Sequence, residues 1–279
     1  MARKKGIKNS LVHVVLVLTS FFIAFPFLWM FTNSIKTKNE IWEVPPKVFP
    51  SVAQWINYGD ALADGTFFKY MWNSAYTAVI ITAVILINSA MFAYALVHIH
   101  FRGKNILIAL IMITYIMPAS TTYVPSYVIL SKLGLMNTHA GYIFSSCASI
   151  FNIFFMRTVF TQISPGIVEA AHIDGAGHWK ILWKVVAPMS VSSFVTLGLL
   201  SFLGSYNSFM WPSLLIHDKE KYLVSMGLQA FFTSEGAYGL KWGTIMAACC
   251  VIVFPLLLLF FFGQRWILNG ITSDAAVKE

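Results

Sequence analysis

Residues Ser164 to Pro188 read SPGIVEAAHIDGAGHWKILWKVVAP. This is a polar interruption in a chain otherwise made of long apolar runs, and it reads as two short helices with a break between them. Ser164 followed by Pro165 gives an N-cap and a proline at the first helical position, where the missing N–H had no partner to lose. A helix from Pro165 to about Asp174 carries Glu169, Ala170 and Ala171 on its middle turns. Gly175 and Gly177 then break the chain, as glycine after a helix commonly does. His178 to Val186 forms a second, amphipathic piece, expected to offer Trp179, Ile181, Leu182 and Trp183 to a surface beside Lys180 and Lys184. Pro188 opens the next apolar run. Residue chemistry alone leaves two readings open. One is an interfacial helix pair resting on headgroups. The other is a docking element, because one carboxylate beside small alanines suits close approach to another protein's cleft.

Outward from this loop, the apolar runs predict an all-α polytopic membrane protein with about six transmembrane helices. Residues 1–10 form a basic N-terminus, and 11–31 form the first span. That run is too long for a signal-peptide core and lacks a small-x-small cleavage site. Pro26 within it is a kink of the kind membranes tolerate. Residues 32–69 form a polar loop with Pro45, Pro46 and Pro50. A five-helix core follows over 70–263. Its spans run from about Tyr70 to Val97, Asn105 to Leu130, Ala140 to Phe155, Met189 to Met210 and Trp242 to Gly263, with the interrupting loop at 157–187. Pro118 and Pro125 should bend the third span. Lys219, Glu220 and Lys221 keep the loop before the sixth span out of hydrocarbon, where a central charge costs roughly 2.5–3.5 kcal/mol. Residues 264–279 are a polar tail.

Composition agrees. Of 279 residues 58% are hydrophobic and 11% charged, with a mean hydropathy of +0.71. An average soluble domain is roughly a quarter charged. The net charge of +8 comes without a basic stripe interleaved with aromatics, so nucleic acid is excluded as a partner. Its natural cause is orientation. With the N-terminus cytoplasmic, the inside segments hold Arg3, Lys4, Lys5, Lys8, Arg102, Lys104, Arg157, Lys180, Lys184, Arg265 and Lys278, which is 11 cations against 8 outside. The outside cations are diluted by Glu40, Glu43, Asp60, Asp64, Asp218, Glu220 and Glu235. Both termini and the Ser164–Pro188 loop are therefore expected in the cytoplasm. Cys147, Cys249 and Cys250 lie in apolar runs without metal or redox spacing, so no metal site is expected.

Glu169-Ala170-Ala171, then Asp174-Gly175-Ala176, then Pro188, resemble the EAA loop of ABC-importer permeases, with the family's E-A-A, D-G-A and terminal proline all present. Other stretches resemble the maltose-type, MalG-like carbohydrate-uptake branch. These are Asn33-Ser34-Ile35-Lys36 with Glu40-Ile41 and Pro45-Pro46, the pairs Asn57-Tyr58 and Asn73-Ser74, and Tyr206 to Pro212, where Tyr206 replaces the usual tryptophan. The ending Phe262 to Gly270 with Ala276-Val277-Lys278 resembles it too, with Asp274 and Glu279 departing from the pattern.

The resemblance implies the type I ABC importer permease fold and a set of partners. These are a second homologous permease, two ATPase subunits carrying ATP and Mg, an extracytoplasmic binding protein that delivers a sugar, and a prokaryotic cytoplasmic membrane around the bundle. It implies that Glu169, Ala170, Ala171, Asp174, Gly175, Ala176 and Pro188 form the coupling element in the ATPase cleft. The chain itself would be non-catalytic and bind no cofactor; it has no GxxxxGK[ST] phosphate loop.

Polar residues within spans are candidates for the sugar pathway. Tyr115 is one such residue, while Asn88, Ser89 and Thr114 are more simply read as packing. Ser205, Tyr206 and Asn207 are the better candidates. A same-fold permease for glycerol phosphate or another small polar solute is the alternative, disfavoured because no Arg or Lys lies deep in a predicted span. A membrane enzyme would need clustered His, Asp or Glu. The nearest cluster, His172, Asp174 and His178, sits inside the EAA pattern. A secondary carrier would need an intramembrane carboxylate, and every Asp and Glu falls outside the predicted spans.

Overall fold

The computed structural model describes residues 2–63, 65–233 and 241–276, with side chains from Val12 to Arg265 except at residue 119. Asp64, Glu235 and the Val277–Glu279 end of the tail lie outside the described residues. All regular structure among the described residues is helical. The helices are α1 (Ala2–Ser34), α2 (Lys38–Ile41), α3 (Ile56–Leu62), α4 (Thr66–His98), α5 (Lys104–Ile116), α6 (Tyr123–Lys132), α7 (His139–Ser146) and α8 (Ile150–Thr161). They continue as α9 (Pro165–Ile173), α10 (His178–Ile181), α11 (Ala187–Met189), α12 (Val191–Tyr206), α13 (Met210–Leu215), α14 (Val224–Phe231) and α15 (Trp242–Ala276).

Among the described residues three helices, α1, α4 and α15, are continuous, long and apolar enough to cross a bilayer, and the number rises to as many as six where each of three bent pairs is taken as one crossing. The breaks have local causes. Met117 before Pro118 is extended (φ −70°, ψ 133°), as a residue preceding proline is driven to be, and the third crossing turns by 99° between α5 and α6. In the fourth crossing Ser149 caps α8 by accepting from the Asn152 N–H at 3.3 Å, and the bend is 41°. Ser190 separates the α10–α11 stretch from α12 at 85°. Pro26 and Pro255 remain inside continuous helices.

The described residues form two compact units, Met1–Phe68 with Leu228–Phe254 and Lys69–Gly227 with Pro255–Glu279. The first unit is fastened by a polar knot just past α1. Lys36 is 2% exposed. Its ammonium donates to Asn33 Oδ1 at 3.0 Å and to the Lys47 carbonyl at 2.6 Å, and lies 4.6 Å from the Trp29 ring centre. Asn57 Nδ2 donates to the Ser34 and Lys36 carbonyls, and the Tyr58 hydroxyl bonds Ser34 Oγ at 2.8 Å. Burial pushes the Lys36 pKa below its usual value, with Glu40 pulling the other way. Thr37 and Glu40 form a reciprocal capping box on α2.

The second unit has two apolar cores. One gathers Ala90, Ala93 and Tyr94 of α4 with Met156, Phe160, Val168, Ile181, Leu182, Val186 and Leu197. The other gathers Ile81, Ile85, Leu130, Tyr142, Trp211, Leu215, Ile216 and Leu223.

Candidate functional site

The Ser164–Pro188 stretch folds as a helix, a glycine cap and a second helix. Ser164 occupies the N-cap and Pro165 the first turn, but the serine side chain makes no capping bond; its carbonyl takes the Ile167 N–H at 3.1 Å instead. At the other end Asp174 is the C-cap. Gly175 follows at φ +77°, the left-handed region that a Cβ would strain. The Ala176 N–H reaches the Ala171 carbonyl and the Gly175 N–H the His172 carbonyl, both at 3.0 Å. This is a Schellman cap, which satisfies the orphan carbonyls of α9 while turning the chain.

The second piece corrects one expectation. Ile181 and Leu182 were expected at a surface, yet they are 0% and 3% exposed, in the core with Val168 and Tyr94. The helix after Ile181 widens into a π turn over Leu182–Val186, within which Leu182 and Val186 are buried. Trp179 is exposed and Trp183 half-buried.

The predicted coupling residues therefore divide. Glu169, Ala170, Asp174, Gly175 and Pro188 are exposed, while Ala171 and Ala176 pack against the core. Neither the Glu169 nor the Asp174 carboxylate makes a hydrogen bond or ion pair among the described residues. Pro188 sits at the far end of the segment, in the last turn before the 85° bend. Behind α9 lies a cavity of about 760 Å³ lined by Val97, His98, His100, Thr161, Val168, Glu169, His172 and His178 among others. The His172 and His178 rings stand edge to face at 4.8 Å, and the Tyr94 hydroxyl meets His178 Nδ1 at 3.1 Å. Among the described residues no three His, Cys, Asp or Glu side chains are grouped to hold a metal.

The pathway candidates do not converge in the same way. Tyr206 is 2% exposed, stacked on Phe202 with ring centres 5.7 Å apart, and its buried hydroxyl has no partner. Asn207 is exposed and donates to the Leu203 carbonyl at 3.0 Å. Ser205 contributes its carbonyl to the Tyr142 hydroxyl at 3.2 Å. A second, apolar cavity of about 580 Å³ is lined by Leu86, Phe194, Gly198, Phe202, Leu259 and Phe262 among others. None of Ser205, Tyr206 and Asn207 lines either cavity. Sequence reasoning missed the Tyr94–His178 contact, because a tyrosine and a histidine 84 residues apart carry no local signal.

Comparison with known proteins adds identity to this geometry. The chain is 30% identical over 263 residues to the diacetylchitobiose uptake system permease protein NgcG of Streptomyces coelicolor, covering 94% of this chain and 86% of that one. It is 27% identical over 280 residues to the sn-glycerol-3-phosphate transport system permease protein UgpE of Brucella abortus, covering 98% and 99%. It also superimposes, with a TM-score of 0.83 at 24% identity over 94% of its length and 97% of the other's, on a chain of a bacterial ABC transporter involved in the import of the acidic polysaccharide alginate. That likeness shows the fold. Residues 89–273 match the model of one family, and the chain belongs to it: the binding-protein-dependent transport system inner membrane components.

Proposed function

We propose that this chain is one of two homologous permeases in an ATP-binding-cassette importer, moving an oligosaccharide or related carbohydrate handed over by an extracytoplasmic binding protein. The observation that carries the reading is the build of Ser164–Pro188. Its apolar side is buried in the bundle core, while Glu169, Asp174 and the Gly175 turn are exposed and neither carboxylate has a partner among the described residues. An exposed helix closed by a Schellman cap and offering unpaired carboxylates suits a cleft with basic groups on another subunit. Two ATPase subunits carrying ATP and Mg supply that cleft. Closure of the ATPase pair would displace α9 and α10 and swing the bundle between inward- and outward-facing states, so hydrolysis happens elsewhere and this chain transmits it. In this reading residues 1–10, 157–187 and 264–279 face the cytoplasm and 32–69 face outward.

A sugar is favoured because the NgcG relative is named for diacetylchitobiose uptake and the alginate transporter shares the fold. The UgpE relatives support a second reading, with glycerol phosphate as cargo. Uptake competition with a panel of oligosaccharides and glycerol phosphate separates the two.

The coupling site is tested by purifying tagged protein from native membranes in mild detergent. Wild type should bring down a second permease and an ATPase. A Glu169→Lys, Gly175→Pro double variant should keep the permease and lose the ATPase. Wild type that purifies alone, under conditions that preserve such complexes, refutes the importer reading.

A further inference from the structure

One crossing differs from the rest. Helix α4, Thr66–His98, runs 33 residues without a proline or a glycine. The other crossings are broken, as in the three bent pairs, or contain proline, as α1 and α15 do. Both ends of α4 are clamped, and each clamp holds a segment facing one side of the bundle.

At its first turns α4 grips residues 220–227. Asn73 Nδ2 donates to the Glu220 and Tyr222 carbonyls at 3.2 and 3.1 Å. Ser74 Oγ, fully buried, accepts from the Val224 N–H at 2.8 Å. Lys69 pairs with Glu220. Gly227 lies so close to the Tyr70 ring that a Cβ there would come within 2.0 Å of it. At the far end Ala90, Ala93 and Tyr94 pack on Val168, Ile181 and Leu182, and the Tyr94 hydroxyl meets His178 just past the Gly175 turn. Asn73 and Tyr94 are about 32 Å apart along the helix at ~1.5 Å per residue, close to the hydrocarbon thickness of a bilayer.

We propose that α4 is a rigid strut that fixes the position of the coupling segment relative to residues 220–227, so that displacement of one is delivered to the other undiminished. Tyr94 is a positioning residue that seats the coupling segment on the strut. The physical basis is stiffness. Proline and glycine are where helices kink, and a helix without either, clamped at both ends, moves as one body. Small shifts at one end are then not absorbed on the way. The proposal rests on the importer reading above, in which the two segments face opposite sides of the membrane.

The test measures the strut directly. Spin labels replace the exposed Lys180 and Lys219 in a chain whose three cysteines are changed to serine, assembled with its partners. The label-to-label distance should shift by less than one helical turn, ~5 Å, between the nucleotide-free and nucleotide-trapped states. A larger shift overturns the strut. Two variants read its consequence. Ile87 is 44% exposed at mid-helix, so Ile87→Pro breaks the rod without emptying a core position; Ile87→Ala is its control. Ile87→Pro should keep basal ATP hydrolysis and lose most of the stimulation given by the loaded binding protein. Tyr94→Phe, which keeps the ring, should lower that stimulation several-fold, with Tyr94→His partly restoring it. Full stimulation in Ile87→Pro refutes the proposal. If Ile87→Pro does not assemble, the distance measurement decides alone. An assembled wild type without any ATPase would refute the importer reading instead, whatever the label distance does.

Discussion

Several single side chains here hold backbone, and the sequence resemblance had marked some of them without showing why. Asn33, Ser34, Lys36, Asn57 and Tyr58 meet in one knot, and Asn73 and Ser74 in another. The pattern was visible in the sequence, but the physical reason was not, since each bond joins residues far apart or closes on a carbonyl. Lys36 is the clearest case. Its ammonium is buried, and removing it leaves Asn33 Oδ1 and the Lys47 carbonyl short of a donor. An unpaired buried polar group costs about 1–3 kcal/mol. Lys36→Ala is therefore expected to lower the thermal midpoint of the detergent-purified protein and speed proteolysis near Lys47. Lys38→Ala, at an exposed position, should do neither.

At the scale of elements, breaks were easier to read than packing. Pro118 and Gly175 punctuate helices for reasons local to the chain, and Pro165 starts one. The side on which α10 is buried was not legible, because Ile181 and Leu182 are covered by Tyr94, Met156 and Phe160, residues distant in sequence. The α2 cap shows an element whose behaviour follows from its bonds. Glu40 accepts from the Ser51 N–H at 2.8 Å and the Thr37 N–H at 3.1 Å, and these two backbone donors, Ser51 first, bring its pKa down to about 2. A carboxyl whose pKa falls on folding adds stability that is whole above its ordinary value of 4.5 and lost as pH drops toward about 2. The loop holding α2 should thus keep its amide-exchange protection at Ser51 down to about pH 4.5, after correction for intrinsic rates, and lose it on further acidification. Glu40→Gln should lose part of that protection already at pH 7. Equal protection in the variant at pH 7 would count against the cap.

For the molecule as a whole, an all-helical bundle with about six apolar stretches could be read from apolar length and charge, which the bilayer constrains strongly. The sidedness is an expectation from charge counting and has a direct check. Single cysteines replacing the exposed Lys38 and Trp179 should react on opposite faces. A membrane-impermeant maleimide on intact cells should label the first, and the second only after the membrane is opened. The surroundings of Ser205 and Tyr206 were not legible, because where they point depends on how α12 is rotated, which an apolar run does not encode. Helix α1 carries one last implication. None of the residues in its most apolar window is buried against the rest of this chain, whereas in α4 the share is 44%. So far as burial in this chain's own fold is concerned, the exposed aliphatic and phenylalanine positions from Val14 to Leu28 are open to exchange among leucine, isoleucine, valine and phenylalanine. The record of selection on α1 should lie at its outer end, in Trp29, Asn33 and Ser34, where the lipid-facing rod becomes part of the knot.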